Sequence, residues 1–435
     1  MADTLTGRAP ISLQEYGAAI VCPAGDIDLG ALAQANERWR KALGLASDPL
    51  RAEVLPDGSV QVRAEAVTGV VRVGDADIEI APKFLNASDQ QWQSVLWRIL
   101  VVVEGGYVDE HLTSAHEVES VSVPDLLAEM FLASFARGGA RGLPRGYQTE
   151  RASGSTLRGS LDYSRLSEWV ARPWELPYVV DLLTDDTPLA RLLRWSAECL
   201  ASTVKSPGRA RALRETAAGL AHVNRHPPHL IDAQRIALGT QHRGLEAAKV
   251  VGLLLLEGAG VQHATGEHKL SGFLWNSDVI YENYVYWLCQ RAARRRQQQV
   301  SKGVIKFGEV CSGEGSRLET TPDVVFRNAQ GAPVAVADSK YKRLGTRPKS
   351  SDTYQVLTAA HVLGCQRVSL TYPVANDREP TVWRVPSALG GRDVELTALP
   401  LNLMSLAHAD GPSLLIETLA SWLDGTPVDG DRAVV

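Results

Sequence analysis

The sequence has few cysteines, no long apolar run and no excess of basic residues. Its five cysteines stand far apart without a Cys-x-x-Cys pair, which argues against a zinc ribbon and suits a reducing compartment. The most apolar stretch, residues 250–256, is too short to span a bilayer, and the opening residues contain no basic-then-apolar leader. We therefore expect a cytoplasmic protein without a membrane partner. The cysteines are Cys22, Cys199, Cys289, Cys311 and Cys365.

The chain of 435 residues is long for one domain, so two or three domains are expected. Its hydrophobic content of 45% and charged content of 22% are those of an ordinary globular protein. Changes in the sequence pattern divide it into three parts. They are a β-rich N-terminal domain over residues 1–88, a helical middle domain over 89–270 and a C-terminal α/β domain over 271–435.

Helical apolar spacing and β-branched or alternating runs predict the individual elements. Predicted helices cover residues 29–43, 92–103, 123–137, 188–203, 209–223, 242–256, 274–299 and 413–423, and another begins near 352. Predicted strands cover residues 11–22, 67–73, 77–84, 321–328, 333–342, 367–372 and 381–385, with a hairpin over 51–64. The composition of residues 424–435 favours a disordered tail.

Residues 319–343 are typical of a β-hairpin that carries two acids and a lysine. A polar loop at 329–332 separates the strands, which places Asp323 across from Asp338. Side chains alternate along a strand, so Asp338 and Lys340 share one face. Neighbouring carboxylates favour a hard divalent cation, and a lysine beside it can offset charge developing on a phosphodiester. The pattern indicates metal-dependent hydrolysis of a nucleic-acid backbone.

A bland alternative exists, because Asp-x-Lys is common by chance and alternate charges on an edge strand are often just solvated. The preceding Pro322, the hairpin register and the valines of both strands favour the functional interpretation. The following helix and the strand at 367–372 complete the element order of the PD-(D/E)xK nuclease core. We therefore expect a multi-domain α+β or α/β protein with a PD-(D/E)xK, restriction-endonuclease-like α/β core at its C-terminal end.

Several further motifs, together with this hairpin, resemble the McrC family, the nuclease subunits of McrBC-type modification-dependent restriction systems. The resemblance covers most of the chain and implies that Asp323 and Asp338 are metal ligands, Lys340 is the catalytic lysine and Gln355 is a further site residue. It also implies that Glu282 stands beside the metal, although a solvated glutamate explains that position equally well. Where relatives usually carry an aromatic after the glutamine, this chain has Ala359-Ala360-His361. The other shared motifs are Ile80-Ala81-Pro82-Lys83, Arg141-Gly142-Leu143, Leu157-Arg158-Gly159-Ser160-Leu161 and Gly272-Phe273-Leu274 leading to Tyr281-Glu282-Asn283.

Four basic residues in these motifs and beside them are candidate contacts for DNA or a protein partner: Lys83, Arg141, Arg145 and Arg158. Lys83 could equally be an exposed charge at the end of a strand, and a solvated arginine-rich loop is as good an explanation for the arginines.

Two other patterns are rejected as sites. Pro227-Pro228 interrupts the histidine series His222, His226 and His229, which also lacks a fourth ligand for zinc. Residues 345–350 lack the glycine spacing of a phosphate-binding loop, and Pro348 removes an amide that such a loop needs. We expect this chain to bind no nucleotide.

The net charge of −5 lacks the basic excess of an autonomous duplex binder, so delivery to DNA by a partner is expected. The resemblance implies an Mg²⁺-dependent endodeoxyribonuclease, with Mn²⁺ as a substitute, that works with a McrB-like AAA+ GTPase hexamer on methylated duplex DNA and stimulates that GTPase. An alternative is a mainly non-catalytic assembly and stimulatory subunit of the AAA+ ring. A weaker one is a stand-alone nuclease acting on single strands or RNA.

Overall fold

A computed structural model of the protein describes residues 10–23, 25–73, 76–85, 92–103, 123–139, 142–257, 272–307, 318–386, 393–408 and 410–425. The fold is mixed α+β, with several small sheets and helices. Two compact units are present, one built from the described residues before Pro124 and after Leu256, the other from Pro124 to Leu256. The N-terminal strands and the C-terminal acids and lysine therefore belong to the same compact unit. About half of the sequence lies between the end of the last N-terminal strand at Ala81 and Asp323.

In the N-terminal part, the described residues up to 103 form six short strands and two helices. Helix α1 begins after Asp28, whose side chain accepts a hydrogen bond from the Ala31 amide and so satisfies a free helix-end donor. The predicted strand over 11–22 is wrong in extent, because Tyr16 adopts φ +53° and the chain forms two strands instead of one. The elements are β1 (Ile11–Gln14), β2 (Ile20–Cys22), α1 (Leu29–Ala42), β3 (Leu50–Val54), β4 (Val60–Ala64), β5 (Val67–Val73), β6 (Ala76–Ala81) and α2 (Trp92–Val103).

The second unit contains helices and a three-stranded sheet, which corrects the expectation that residues 89–270 are only helical. The two long strands of this sheet pair over nine residues each. The first is largely solvent-exposed and the second is exposed mainly in its second half, so neither gives the regular alternation by which to predict a strand. The elements are α3 (Val123–Gly139), β7 (Gly146–Gly154), β8 (Ser160–Leu161), α4 (Leu166–Ala171), β9 (Leu176–Thr184), α5 (Pro188–Thr203), α6 (Pro207–Gly219), α7 (Leu230–Gln234) and α8 (Glu246–Glu257).

The long helix predicted over 274–299 is preceded by a strand, so its predicted beginning is wrong. Strand β10 (Gly272–Asn276) pairs antiparallel with β5 and completes the four-stranded sheet β1-β6-β5-β10. Asn276 then caps helix α9 (Ser277–Arg295) by accepting hydrogen bonds from two first-turn amides. Pairing with β5 therefore overrides the helical spacing of these apolar residues, a long-range effect that local pattern does not contain.

The C-terminal part contains the remaining elements, which are β11 (Gln299–Ser301), β12 (Ile305–Phe307), β13 (Leu318–Thr320), β14 (Val324–Arg327), β15 (Pro333–Ser339), α10 (Ser350–Leu363), β16 (Arg367–Val374), β17 (Thr381–Val385), β18 (Val394–Asn402) and α11 (Gly411–Asp424). Six of the strands form a sheet in the order β11-β14-β15-β16-β18-β17. Helix α10 connects β15 to the parallel strand β16, which makes a strand–helix–strand unit. The expected disordered tail lies outside the described residues beyond 425.

None of the helices in the described ranges combines the length and apolar character that a membrane crossing requires.

Candidate functional site at the hairpin

The β14–β15 hairpin brings Asp323 and Asp338 together as its sequence predicts. Val324 pairs with Ala337 and Val325 with Val336, and one further step along this register places Asp323 beside Asp338. The loop itself is shorter than the predicted four residues, because the Asn328 amide donates to the Ala332 carbonyl at 2.9 Å. A register shift between Phe326 and Arg327 compensates for the shorter loop. The two carboxylates therefore meet despite a different turn.

Asp338 is buried in the middle of the sheet, with 1% of its surface exposed. Its strand pairs with β14 on one side and with β16 on the other, where Asp338 is opposite Leu370. Burial raises the pKa of Asp338 to about 6, and the charge of Asp323 adds to the rise. The Lys340 ammonium opposes it. A buried carboxylate beside a second acid is poised to gain most from a cation.

Lys340 and Ser339 hold the two acids from the end of β15. The Lys340 ammonium forms an ion pair with Asp338 and donates a hydrogen bond to Gln355 Oε1 at 3.2 Å. The backbone amide of Lys340 donates to the Thr371 carbonyl at 2.9 Å, which extends the β15–β16 pairing. The Ser339 amide donates to Asp323 Oδ2 at 2.7 Å, and the Ser339 hydroxyl donates to the same oxygen. Four of the predicted site residues therefore lie in one connected cluster.

The donor set fits Mg²⁺ better than a transition metal. Among the described residues, no three or more His, Cys, Asp or Glu side chains lie close enough together to bind one metal ion. Two adjacent carboxylates remain, and Mg²⁺ is commonly held by one or two carboxylates with water and substrate phosphate completing its shell. The raised pKa of Asp338 is consistent with such a site, because burial and then the charge of Asp323 disfavour its ionised form, which a bound cation would favour.

Glu282 lies outside the carboxylate–lysine cluster in the structure. It stands on helix α9 with a partly exposed side chain and forms an ion pair with Lys302. The buried face of that helix carries Tyr281, Tyr284 and Val285 instead. A metal role for Glu282 stays a prediction, and it would require this ion pair to open.

The predicted basic contacts fall in different settings. Lys83 is half-buried, and its ammonium lies 3.8 Å from the ring centroid of Tyr341, which is a cation–π contact and not a free surface charge. Arg145 is exposed and pairs with Asp185 at 2.7 Å, and Arg158 is exposed. Arg141 lies outside the described residues.

Sequence reasoning missed Glu15 and Tyr341, which form a second polar cluster next to the first. Glu15 is 1% exposed and accepts a hydrogen bond from the Tyr341 hydroxyl at 2.5 Å. Burial raises the pKa of Glu15 to about 7, against the opposing effect of the Lys83 charge. The only sequence feature that could have indicated a buried Glu15 is its position directly after a short apolar strand. A glutamate in that position is usually solvated.

Taken together, the fold and the cluster define a mixed α+β protein that joins two carboxylates, a lysine and a glutamine at the edge of a hairpin. The family model for the McrBC 5-methylcytosine restriction system component matches residues 62–373, which is well over half of the chain and includes the entire cluster. The protein therefore belongs to the McrBC family.

Solved structures support the fold. One chain matches over 96% of this chain and 100% of its own length with a TM-score of 0.61 and 15% identity. It comes from the refined half-complex of the tetradecameric assembly of Thermococcus gammatolerans McrB AAA+ hexamers with bound McrC. A chain of the cryo-EM structure of the T. gammatolerans McrBC complex covers 65% of this chain and 88% of its own, with a TM-score of 0.45 and 16% identity, a score too low to argue from. No curated protein matches the sequence.

Proposed function

We propose that this chain is the Mg²⁺-dependent DNA endonuclease subunit of a McrBC-like restriction system. The observation that carries the proposal is the convergence of Asp323, Asp338 and Lys340 at one end of the hairpin, in a chain of the McrBC family. The parallel β15–α10–β16 unit behind this hairpin is the arrangement expected of a PD-(D/E)xK core.

Asp323 and Asp338 would hold the Mg²⁺ ion. Bound Mg²⁺ supplies Lewis acidity toward a phosphodiester oxygen and makes a coordinated water more acidic. The Ser339 amide already orients the Asp323 carboxylate, so this side chain would need little reorganisation to bind the ion. Asp338 lies in the interior of the sheet, where water screens its charge little.

Lys340 would then act on the phosphate. Its ammonium pairs with Asp338 at the end of the hairpin, and from this position it would face the charge that develops on a scissile phosphate bound at the two acids. Gln355 accepts a hydrogen bond from the same ammonium, so its amide oxygen orients Lys340 toward the site. This gives the glutamine a positioning task through Lys340, beside the predicted one of placing water or phosphate.

The partner we propose is a McrB-like AAA+ GTPase hexamer that recognises methylated duplex DNA and recruits this chain. Two observations support it. The matched solved structure is one of McrB AAA+ hexamers with bound McrC, and the net charge of −5 disfavours tight autonomous binding to DNA. Stimulation of that GTPase by this chain is part of the proposal.

The test is cleavage by the chain mixed with the AAA+ protein, using methylated and unmethylated plasmid in Mg²⁺ with and without GTP. The proposal predicts cutting only with methylated DNA, GTP and both proteins, and its loss with Lys340→Ala while GTP turnover stays stimulated. Cutting by this chain alone would favour the stand-alone nuclease, and unchanged cutting by Lys340→Ala would refute the assigned site.

A second candidate is an assembly and stimulatory subunit with little cleavage of its own. The feature that favours it is the absence of an aromatic residue after Gln355, where the chain has Ala359 and Ala360. In the structure both alanines are buried against the core under β16, at 1% and 0% exposure. The substitution therefore changes interior packing of α10 more than it changes the open site, which leaves the nuclease proposal ahead.

A further inference from the structure

Glu15 and Tyr341 are 326 residues apart in sequence and in direct contact. The Tyr341 hydroxyl donates to Glu15 Oε2 at 2.5 Å, and the Lys83 amide donates to the same oxygen at 3.2 Å. Glu15 follows strand β1, and its own amide donates to the Ala81 carbonyl at 2.9 Å, so the acid is anchored in the N-terminal sheet. The contact joins that sheet to the segment that follows β15.

The ring of Tyr341 is enclosed on several sides. The Lys83 ammonium lies 3.8 Å from its centroid, Phe84 packs edge-on at 5.5 Å between centroids, and Tyr281 packs tilted at 5.6 Å. Only 6% of Tyr341 is exposed. The segment after β6 and helix α9 therefore both restrict where this side chain can lie, in addition to its hydrogen bond to Glu15.

Packing alone does not account for the acid at this place. Glu15 Oε1 is buried and makes no hydrogen bond to any described residue, and burying a carboxylate with an unsatisfied oxygen costs stability. We therefore explain the hydrogen bond from Tyr341 to Glu15 by the backbone that it positions, and not by a contribution to the stability of the fold.

The residue that Tyr341 positions is Lys340, its direct neighbour in the chain. On the other side of Tyr341, the Lys342 amide donates to the Lys340 carbonyl at 2.7 Å, and the Lys342 ammonium pairs with Asp352 at 2.9 Å. A shift of Tyr341 would move the Lys340 backbone directly, and displacements of an ångström at a reacting group lower rates strongly.

We propose that Glu15 and Tyr341 are positioning residues for the nuclease site: their hydrogen bond holds the backbone after Lys340, so the N-terminal sheet determines where the lysine ammonium lies. The inference rests on the proposed function for its catalytic consequence. Its structural part, that Glu15 holds the segment after Lys340 through Tyr341, does not depend on the proposed function. In this proposal Lys83 contributes through its cation–π contact with Tyr341.

The test compares wild type with Tyr341→Phe and with the matched control Tyr284→Phe in the full chain. Each variant removes one hydroxyl from a buried tyrosine, and the Tyr284 hydroxyl has no hydrogen-bond partner among the described residues. Hydrogen exchange is followed in peptides that span residues 338–344, and cleavage of methylated DNA is followed with the AAA+ partner.

We expect Tyr341→Phe to exchange faster in that segment and to lower kcat by roughly tenfold or more, with KM for DNA and GTPase stimulation unchanged. Tyr284→Phe should match wild type in both measurements. Glu15→Gln, which keeps an acceptor oxygen, should restore most of the rate that Glu15→Ala loses, a rescue that measures the hydrogen bond itself.

Unchanged exchange in Tyr341→Phe would overturn the inference, and so would faster exchange with an unchanged kcat. A fall in kcat that Tyr284→Phe shares would show general loosening of the core and would also overturn it. If the unmodified complex cuts no DNA, the proposed function fails. The exchange measurement then still decides whether Glu15 holds the segment.

Discussion

Ser339 donates its backbone amide to Asp323 at 2.7 Å, and this bond joins the start of β14 to the end of β15 where the two acids meet. The bond leaves Asp323 oriented before any cation binds, and it lies one residue from both Asp338 and Lys340. The backbone pairing of the hairpin therefore brings the two acids together and orients them.

Asp338→Asn should stabilise the metal-free chain at neutral pH. The folded pKa of Asp338 is raised to about 6 from its ordinary value near 3.8, so the folded state binds the proton more tightly than the unfolded state does. Stability therefore falls as pH rises from about 4 to about 6 and then stays level. The variant lacks this loss and should gain about 1–3 kcal/mol at neutral pH, less whatever the lost Lys340 ion pair contributes.

Denaturant unfolding at neutral pH and near pH 4 measures this effect. The gain should shrink toward zero at the lower pH, because wild-type Asp338 is then protonated as well. A variant less stable than wild type at neutral pH would show that the ion pair with Lys340 outweighs the cost of burying Asp338.

The rate of cleavage should rise with pH through the region near 6 in which Asp338 ionises. A cation favours the ionised carboxylate, so a higher Mg²⁺ concentration should move the midpoint to lower pH. Single-turnover rates across pH at two Mg²⁺ concentrations test this expectation. A midpoint that does not respond to Mg²⁺ would mean that another group controls the profile.

Gln355→Ala should slow cleavage by roughly tenfold without weakening DNA binding, because the Lys340 ammonium loses the oxygen that orients it. Gln355→Glu keeps an acceptor and should recover part of the rate. Thr353→Ala is a suitable control on the same helix, since its hydroxyl bonds only to the Lys349 carbonyl of the first turn in the described structure. A tenfold loss in that control would point to damage of the helix.

Glu282→Gln separates the predicted metal role from the observed ion pair. An exposed pair of this kind contributes about 1 kcal/mol or less, so we expect almost unchanged stability and a cleavage rate close to wild type. The matched variant Lys302→Gln should behave alike. A loss above about 100-fold in Glu282→Gln alone would instead place the acid at the metal during the reaction.

Local patterns predicted well which hairpin residues lie together, and they predicted the long-range contacts poorly. Asp323, Asp338 and Lys340 are close in sequence, and strand alternation with one turn is enough to bring them together. Glu15 could not be assigned in this way, because its role depends on a tyrosine 326 residues away. The cation–π contact of Lys83 could not be predicted for the same reason, since its neighbour Tyr341 also lies far away in the chain.

The elements show the same division. Helix α5, which Thr187 caps, was predicted with its correct bounds. Strand β10 was predicted as helix, because its spacing suits either state and only the pairing with β5 decides. Neither β7 nor β9 alternates regularly between buried and exposed positions, so no strand was predicted there.

The most direct test of the central claim is DNA cleavage and GTP turnover measured in the same reactions, with wild type and Asp338→Ala compared in the presence of the AAA+ partner, methylated plasmid, GTP and Mg²⁺. The account predicts that Asp338→Ala abolishes cleavage while GTP turnover rises as it does with wild type. Cleavage at the wild-type rate by Asp338→Ala would contradict it. So would an intact wild-type complex that raises GTP turnover and leaves the plasmid uncut, which would make the chain a stimulatory subunit.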